Sequence, residues 1–303
     1  MSVDVKQFGK VAVVCGGFSS EREVSLNSGK AVLDALLSKG VDAHHFDPQE
    51  TDISKLREFD RVFNVLHGTF GEDGSLQGVL DGFDIPYTGC GVLASAIAMD
   101  KFRCRLIWQG FNLPNVPYVV LDDHSDFDAV EREFGLPLFV KPAAEGSSVG
   151  VVMVETAGEL AKVYPTLKQY HGAILAEPAI TGGEYACSLL GDEALPSIRI
   201  IPAGKFYDYE AKYLRNDTTY QCPSDLTAEQ EREMQDIAKR AFEAIGGRGW
   251  SRVDFLKSDD GKLYLLELNT VPGMTDHSLV PMAAKARGID FASLCVQILA
   301  QTL

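Results

Sequence analysis

Apolar residues in the first hundred positions fall into short continuous runs separated by stretches of helical period. Val11-Ala-Val-Val-Cys15 is such a run and ends at Gly16-Gly17. From Ser25 the apolar positions Leu26, Ala31, Val32 and Leu36 recur at helical spacing up to Gly40, after which Val41–Phe46 alternates. Arg61–Leu66 is a further buried run and leads into His67-Gly68. Strands separated by helices of this length predict βαβ units and a parallel sheet. This first unit is expected to end between Gly91 and Lys101.

The pattern then changes. Leu136–Lys141 and Val149–Val154 are β runs joined by a loop of small residues, and Gly172–Glu177 and Glu184–Leu190 follow as further strands. They predict a mostly antiparallel sheet with one or two helices. Residues Thr227–Ala244 carry Met234, Ala238 and Ala241, with Ile245 beyond, near one face of a helix. Val253–Leu256, the turn at Asp259-Asp-Gly261, and Leu263–Leu268 read as a hairpin. Ala203–Ser224 is polar and aromatic, and is expected to be a long irregular loop of the lid or binding type.

Composition narrows the class of protein. The chain has 303 residues, 46% of them hydrophobic and 23% charged, which excludes a disordered chain and predicts roughly two domains, with three small ones as the alternative. Its 43 acidic and 28 basic residues give a net charge of −15, which argues against nucleic acid or an anionic membrane as the main partner. No stretch reaches the roughly 20 apolar residues of a membrane span, and the first ten residues lack the apolar run of a signal peptide. The six cysteines are scattered without a C-x-x-C pair, as expected of small buried residues in a reducing cytosol.

Two segments concentrate candidate chemistry. Lys141-Pro-Ala-Ala-Glu-Gly-Ser-Ser-Val-Gly150 combines a lysine with free backbone N–H groups, the materials of a phosphate cradle. It lacks the Walker spacing and lies between β runs, so it reads as the flap-like tip of a hairpin; an ordinary Gly/Ser turn explains it equally well in isolation. Arg252 and Asp254 share one face of their strand, as do Glu267 and Asn269 on the partner. If the strands pair, three oxygen-bearing groups and a guanidinium converge, a donor set suited to Mg²⁺ completed by water and phosphate. The alternative is a solvated ion-pair ladder, which the apolar neighbours Phe255, Leu256, Leu265, Leu266 and Leu268 disfavour.

Three loops complete the picture. Thr270–Pro281 holds a Pro-Gly turn with Ser278 opening a helix, offering backbone donors for an oxyanion and a helix N-terminus for a carboxylate. Gly16–Ser25 lies at the carboxyl end of the first strand, where open α/β sheets bind ligands, but lacks the G-x-G-x-x-G spacing of a dinucleotide site. His67–Gly74 ends another strand and is expected to face the same crevice, with functional and structural roles for His67 about evenly balanced.

Taken together these residues resemble the D-alanine–D-alanine ligases of the ATP-grasp superfamily. The resemblance is carried by Gly16-Gly17 with Glu21–Ser25, His67-Gly68 with Gly71–Gly74, Met99-Asp-Lys101, and Lys141-Pro142 with Glu145–Gly150. It continues through Pro196–Arg199, Tyr207–Tyr213, Arg252–Asp254, Glu267–Asn269, Pro272–Thr275 and His277–Pro281, in the family's order. It implies an α/β fold, α+β in its C-terminal part. Residues 1–98 would form a parallel-sheet substrate domain, 99–185 an ATP-grasp subdomain with the flap, and 186–303 a second subdomain with lid loop and metal site. It also implies ATP-dependent joining of two D-alanines through an acyl phosphate, for peptidoglycan precursors, in the cytoplasm and as a homodimer.

The resemblance further implies roles residue by residue. Lys101, Lys141, Ser147 and Ser148 would contact the ATP phosphates, Glu177 the adenine edge and Glu184 the ribose. Asp254, Glu267 and Asn269 would hold two Mg²⁺ ions, with Mn²⁺ as a substitute. Arg252 and the Gly273 N–H would stabilise the tetrahedral intermediate. Glu21, with His67 nearby, would receive the first ammonium; Ser278, the N–H of Leu279 and Lys212 would take the second carboxylate. Glu21, Ser147 and Tyr213 would form a hydrogen-bonded trio that orders the lid. With an unperturbed pKa near 10, Tyr213 suits an orienting role better than proton removal. Ala176–Ile180 departs from the bulkier, more polar segment of many relatives, which bears on nucleotide affinity.

Rival readings differ at identifiable points. A D-alanine–D-lactate ligase is disfavoured by the Lys212-Tyr213 pair, a non-catalytic nucleotide-binding module by the full set of Arg252 and metal ligands, and a dehydrogenase by the first glycine loop.

Overall fold

A computed structural model describes residues 4–204, 217–275 and 277–303. The first unit comprises β1 (Lys10–Val14), α1 (Arg22–Ser38), β2 (Asp42–Phe46), β3 (Arg61–Asn64), α2 (Ser75–Phe83) and α3 (Val92–Met99). Its strands pair in parallel in the order β2-β1-β3. Both faces of β1 are covered: Val11, Val13 and Cys15 pack with Val32 and Leu36 of α1, while Ala12 and Val14 pack with Leu56, Leu76 and Leu80. A strand buried on both sides has no polar face, which is why β1 reads as an unbroken apolar run.

The central unit contains α4 (Lys101–Gly110), β4 (Val119–Leu121), α5 (Phe127–Phe134), β5 (Leu138–Pro142), β6 (Val152–Val154), α6 (Leu160–Leu167) and β7 (Ile174–Pro178). Its antiparallel sheet runs β4-β7-β5-β6, with Val130, Leu160, Tyr164 and Leu167 of the two shorter helices closing one face.

The third sheet is built from β8 (Glu184–Leu190), β9 (Glu193–Ala194), β10 (Ile198–Ile201), β11 (Thr219–Gln221), β12 (Trp250–Lys257) and β13 (Leu263–Asn269), ordered β11-β10-β8-β12-β13 with β9 on β8. Helix α7 (Ala228–Ala244) begins at a capping box in which Thr227 and Gln230 satisfy each other's backbone N–H groups. Its buried face, Met234, Ile237, Ala238, Ala241 and Phe242, covers one side of the sheet. Helices α8 (Leu279–Ala286) and α9 (Phe291–Ala300) return to the first unit, where Leu294 and Ile298 join the core of α1.

Two expectations need adjustment. Within the stretch predicted as irregular, Thr219–Gln221 pairs with Ile201–Arg199 as an edge strand. A division at residues 185/186 would fall inside β8, which enters the third sheet from Glu184. All six cysteines are free and all but Cys222 are buried, as the sequence suggested.

Candidate active site

The first glycine loop is stitched to its own unit. Gly16 N–H donates to Ser25 Oγ at 2.9 Å and Gly17 N–H to Asp47 Oδ1 at 3.0 Å, so these donors are already engaged. Beyond them Glu21 precedes α1, and its Oε2 accepts a hydrogen bond from Ser147 Oγ at 2.8 Å. The flap between β5 and β6 therefore reaches across to the first unit. At its base Ala143 accepts from the Lys101 backbone N–H at 2.9 Å, and the Glu145 carbonyl accepts from Lys101 Nζ at 2.6 Å. Ser147 and Ser148 take left-handed backbone angles, φ 51° and 61°.

The β12–β13 hairpin assembles the predicted polar face. Arg252 pairs with Asn269 and Asp254 with Glu267 in register, while Leu268 between them turns into the core. Arg252 Nε and Nη2 donate to the two oxygens of Asp254, each at 2.7 Å, and Asn269 Nδ2 donates to Asp254 Oδ2 at 3.1 Å. Glu267 Oε2 lies 3.2 Å from Lys101 Nζ. Two carboxylates and an amide thus share one face, with a cation at each carboxylate. Hard oxygen donors in this number fit Mg²⁺ with part of its shell left for water and phosphate.

Beside this face opens a cavity of about 580 Å³ with apolar walls that include Phe139, Met153, Ile180, Leu256 and Leu266. Lys101, Lys141, Ser148, Glu177, Glu184 and Glu267 line it as well. Lys141 and Glu177 are buried and paired at 2.8 Å, and the other Glu177 oxygen accepts from the fully buried Arg105. Arg105 also donates to the Leu266 carbonyl at 3.2 Å. Burial lowers the Lys141 pKa to about 8; Glu177 opposes the shift and Arg105 adds to it. Burial works against the Glu177 charge, yet Arg105 and Lys141 together hold its carboxyl below the ordinary range.

The turn after β13 faces the first unit. His67 is 4% exposed, with Nδ1 at 3.1 Å from the Val271 carbonyl and Nε2 at 3.1 Å from Ser28 Oγ. Ser278 precedes α8 without capping it; its Oγ accepts from the Thr275 N–H at 2.9 Å and bonds the Thr275 hydroxyl at 2.9 Å. A Cβ on Gly273 would stand 3.0 Å from Ser278 Oγ, so glycine keeps the approach to this turn open. Leu279 begins the helix, its side chain in the core.

The structure thus gathers Lys101, Glu145–Ser147, Glu267 and Asn269 around one narrow cleft, with Lys141, Ser148, Glu177 and Glu184 in the adjoining cavity. Lys212 and Tyr213 lie outside the described residues. Three residues had no role in the sequence reading. Arg105 sits one turn after Lys101 on the buried stripe of Cys104 and Trp108, and an arginine on an apolar stripe was the available signal. Glu72, whose Oε2 accepts from the Gly68 N–H at 2.9 Å, lines the narrow cleft. Ser28 gave no signal beyond its place in a helix.

Comparison with known proteins adds an independent line. Profiles described as the D-ala D-ala ligase C-terminus and N-terminus match residues 107–300 and 40–90. A D-alanine–D-alanine ligase of Neisseria meningitidis serogroup A is 61% identical over 298 residues, covering 97% of this chain and 98% of that protein. A crystal structure of the Bacillus anthracis D-alanine–D-alanine ligase complexed with ATP superposes with a TM-score of 0.83 at 29% identity, covering 97% of both chains. The VanG D-Ala:D-Ser ligase of Enterococcus faecalis superposes with a TM-score of 0.84 at 29% identity, covering 98% of this chain and all of that one.

Proposed function

The chain belongs to the D-alanine–D-alanine ligase family, and we propose that its cleft joins two D-alanines at the expense of ATP as follows. The carboxylate of the first D-alanine attacks the γ-phosphorus, giving an acyl phosphate and ADP. The amine of the second attacks the acyl carbon, loses a proton, and the tetrahedral adduct expels inorganic phosphate. The product is D-alanyl-D-alanine for peptidoglycan precursors. A carboxylate is a poor electrophile and an acyl phosphate a good one, so the protein's task is chiefly positioning and charge stabilisation.

The observation that carries this reading is the polar hairpin face beside an apolar-walled cavity, with Lys101 standing between them. The walls suit adenine, Glu184 the ribose, and Lys101 and Lys141 the phosphates under the flap of Ser147 and Ser148. Asp254, Glu267 and Asn269 would hold Mg²⁺, two ions in this reading and replaceable by Mn²⁺. When bound, the metal supplies positive charge against the phosphate oxygens. Arg252 and the Gly273 N–H face the developing oxyanion. Glu21 takes the ammonium of the first substrate; Ser278 and the Leu279 N–H, with Lys212, take the carboxylate of the second. The Glu21–Ser147 bond is two-thirds of the trio that Tyr213 completes. His67 supports this site from behind, since both of its nitrogens are engaged with protein.

No described helix is long and apolar enough to cross a membrane. Cytoplasmic location and a homodimer complete the proposal on family resemblance, and light scattering of the purified chain tests the latter. The deciding assay is phosphate release from ATP and Mg²⁺ with D-alanine, L-alanine, D-alanine plus D-lactate, and D-alanine plus D-serine, with products identified by mass. Phosphate stoichiometric with D-Ala-D-Ala, and none with L-alanine, is expected. A mixed ester or a D-Ala-D-Ser product in preference would keep the acyl phosphate and change the second substrate.

A further inference from the structure

Ser28 lies fully buried on α1, and no part of the mechanism above uses it. Its Oγ accepts a hydrogen bond from the Met274 backbone N–H at 3.1 Å and lies 3.1 Å from His67 Nε2. The opposite ring nitrogen, Nδ1, lies 3.1 Å from the Val271 carbonyl. The contacts are met when Nδ1–H donates to the Val271 carbonyl, with Glu72 Oε1 3.9 Å from the same nitrogen, and Ser28 receives the Met274 amide proton and gives its own to Nε2. Each donor then has an acceptor, as buried polar groups require.

The consequence lies in what the network grips. It holds the turn at the Val271 carbonyl and at the Met274 N–H, and Gly273 sits between them. Both anchors belong to the first unit: Ser28 to α1, and His67 to the loop after β3. Ser28 is seven residues beyond Glu21, two turns along the same helix and about 10 Å away. A single rigid helix therefore carries the acceptor for the first ammonium at its start and the clamp for the turn two turns later.

We propose that Ser28 is a positioning residue that, through its hydroxyl and His67, holds the Val271–Met274 turn so that the Gly273 N–H points at the developing oxyanion. The proposal rests on the reading of Gly273 as an oxyanion donor. Such a donor contributes most when its direction is fixed before charge develops. Losing the clamp should weaken transition-state binding more than ground-state binding.

The test uses Ser28→Ala in the full chain, with ATP and Mg²⁺ present. A phosphinate dipeptide, tetrahedral at the reacting carbon, serves as the probe of transition-state binding. We expect kcat and phosphinate affinity each to fall about tenfold, while KM for ATP changes less than about twofold. Equal losses for ATP and phosphinate, or a lowered thermal midpoint with unchanged kcat, would overturn the proposal. Should Ser28→Ala not fold, hydrogen exchange on the wild-type chain decides: the Met274 amide should exchange far more slowly than exposed turn amides, and exchange at their rate overturns the clamp. Gly273→Pro separates the two readings. If it leaves phosphinate affinity intact, the donor assignment fails and the proposal with it. If it weakens that affinity and Ser28→Ala does not, the positioning role alone fails.

Discussion

The β12–β13 hairpin and the ionic cluster beneath the nucleotide cavity use the same residue types by opposite means. On the hairpin, Arg252, Asp254, Glu267 and Asn269 sit on two adjacent strands, and Lys101 brings a second cation from α4. The formal charges cancel, and Arg252, Glu267 and Lys101 remain partly open to solvent while Asp254 between them is buried. In the cluster, Arg105, Lys141 and Glu177 come from α4, β5 and β7, are almost wholly buried, and leave an excess of one positive charge. A face whose cations can turn toward a ligand suits chemistry. A buried cluster with surplus positive charge in a cavity wall suits the foundation of an anion's site, because its low-dielectric surroundings screen the charge poorly.

The largest expected effect falls on the hairpin. Glu267→Gln keeps the shape and removes the charge, and turnover should fall about a thousandfold, a loss typical of removing a group that stabilises developing charge. ADP release under saturating ATP and D-alanine measures it. A variant that keeps a tenth of the activity would remove the metal assignment and leave the ion-pair ladder as the better description.

The cluster should fail in stability before it fails in chemistry. Arg105→Met leaves Glu177 with one cation in a dry site, and breaking a buried pair of this kind costs about 3 kcal/mol or more. Denaturant titration reads the loss. Arg105→Met combined with Glu177→Gln should lose less than the two separate costs added together, since no unpaired anion remains. Simple additivity would show that the two side chains do not act as a unit.

These regions also mark how far the sequence could be read. Strand alternation groups Arg252 with Asp254 and Glu267 with Asn269, but the two pairs meet because a β-bulge between Asp254 and Phe255 shifts the register by one residue, and counting from the turn alone would put Leu266 opposite Asp254. The strands around the flap were legible as β runs. The family resemblance implies the adenine edge for Glu177 but not the partner that holds it, because Arg105 lies 72 residues away and meets it only after the central sheet folds against α4. Lys141 and Glu177 are diagonal neighbours across β5 and β7, a contact that depends on strand order rather than on local pattern. The Ser28–His67 clamp spans 204 residues between His67 and Val271, a separation at which periodicity says nothing.

A smaller effect probes the cluster's link to the nucleotide. Lys141 has its pKa lowered to about 8 by burial, with Arg105 adding to the shift. A lysine with a depressed folded pKa loses its proton as pH rises through that value, well before a free lysine does. Phosphate binds the protonated form, so KM for ATP should rise several-fold between about pH 7.5 and pH 9.5. In Arg105→Met the rise should move to higher pH, because one opposing cation is gone. The stability sign is the reverse: the unfolded lysine binds protons more tightly from about pH 8 to 10.5, so this group makes folding more favourable as pH rises through that window. A flat KM profile across the range would detach Lys141 from the phosphates.

The flap offers the finest test, because it joins the two regions without belonging to either. Ser147 and Ser148 hold φ of 51° and 61°, a conformation that costs a non-glycine residue about 1–2 kcal/mol each. The Ser147 hydroxyl bond to Glu21, at 2.8 Å, is charge-assisted and contributes roughly 1.5–3 kcal/mol, enough to hold the strained turn closed. Ser147→Ala keeps the strain and loses the bond, whereas Ser147→Gly loses both. Alanine should therefore raise KM for ATP several-fold and glycine by less, although glycine is the more flexible residue and would ordinarily be the worse substitution in an ordered loop. Equal effects would show that strain plays no part in closure. Unchanged KM in both would show that the bond to Glu21 does not close the flap.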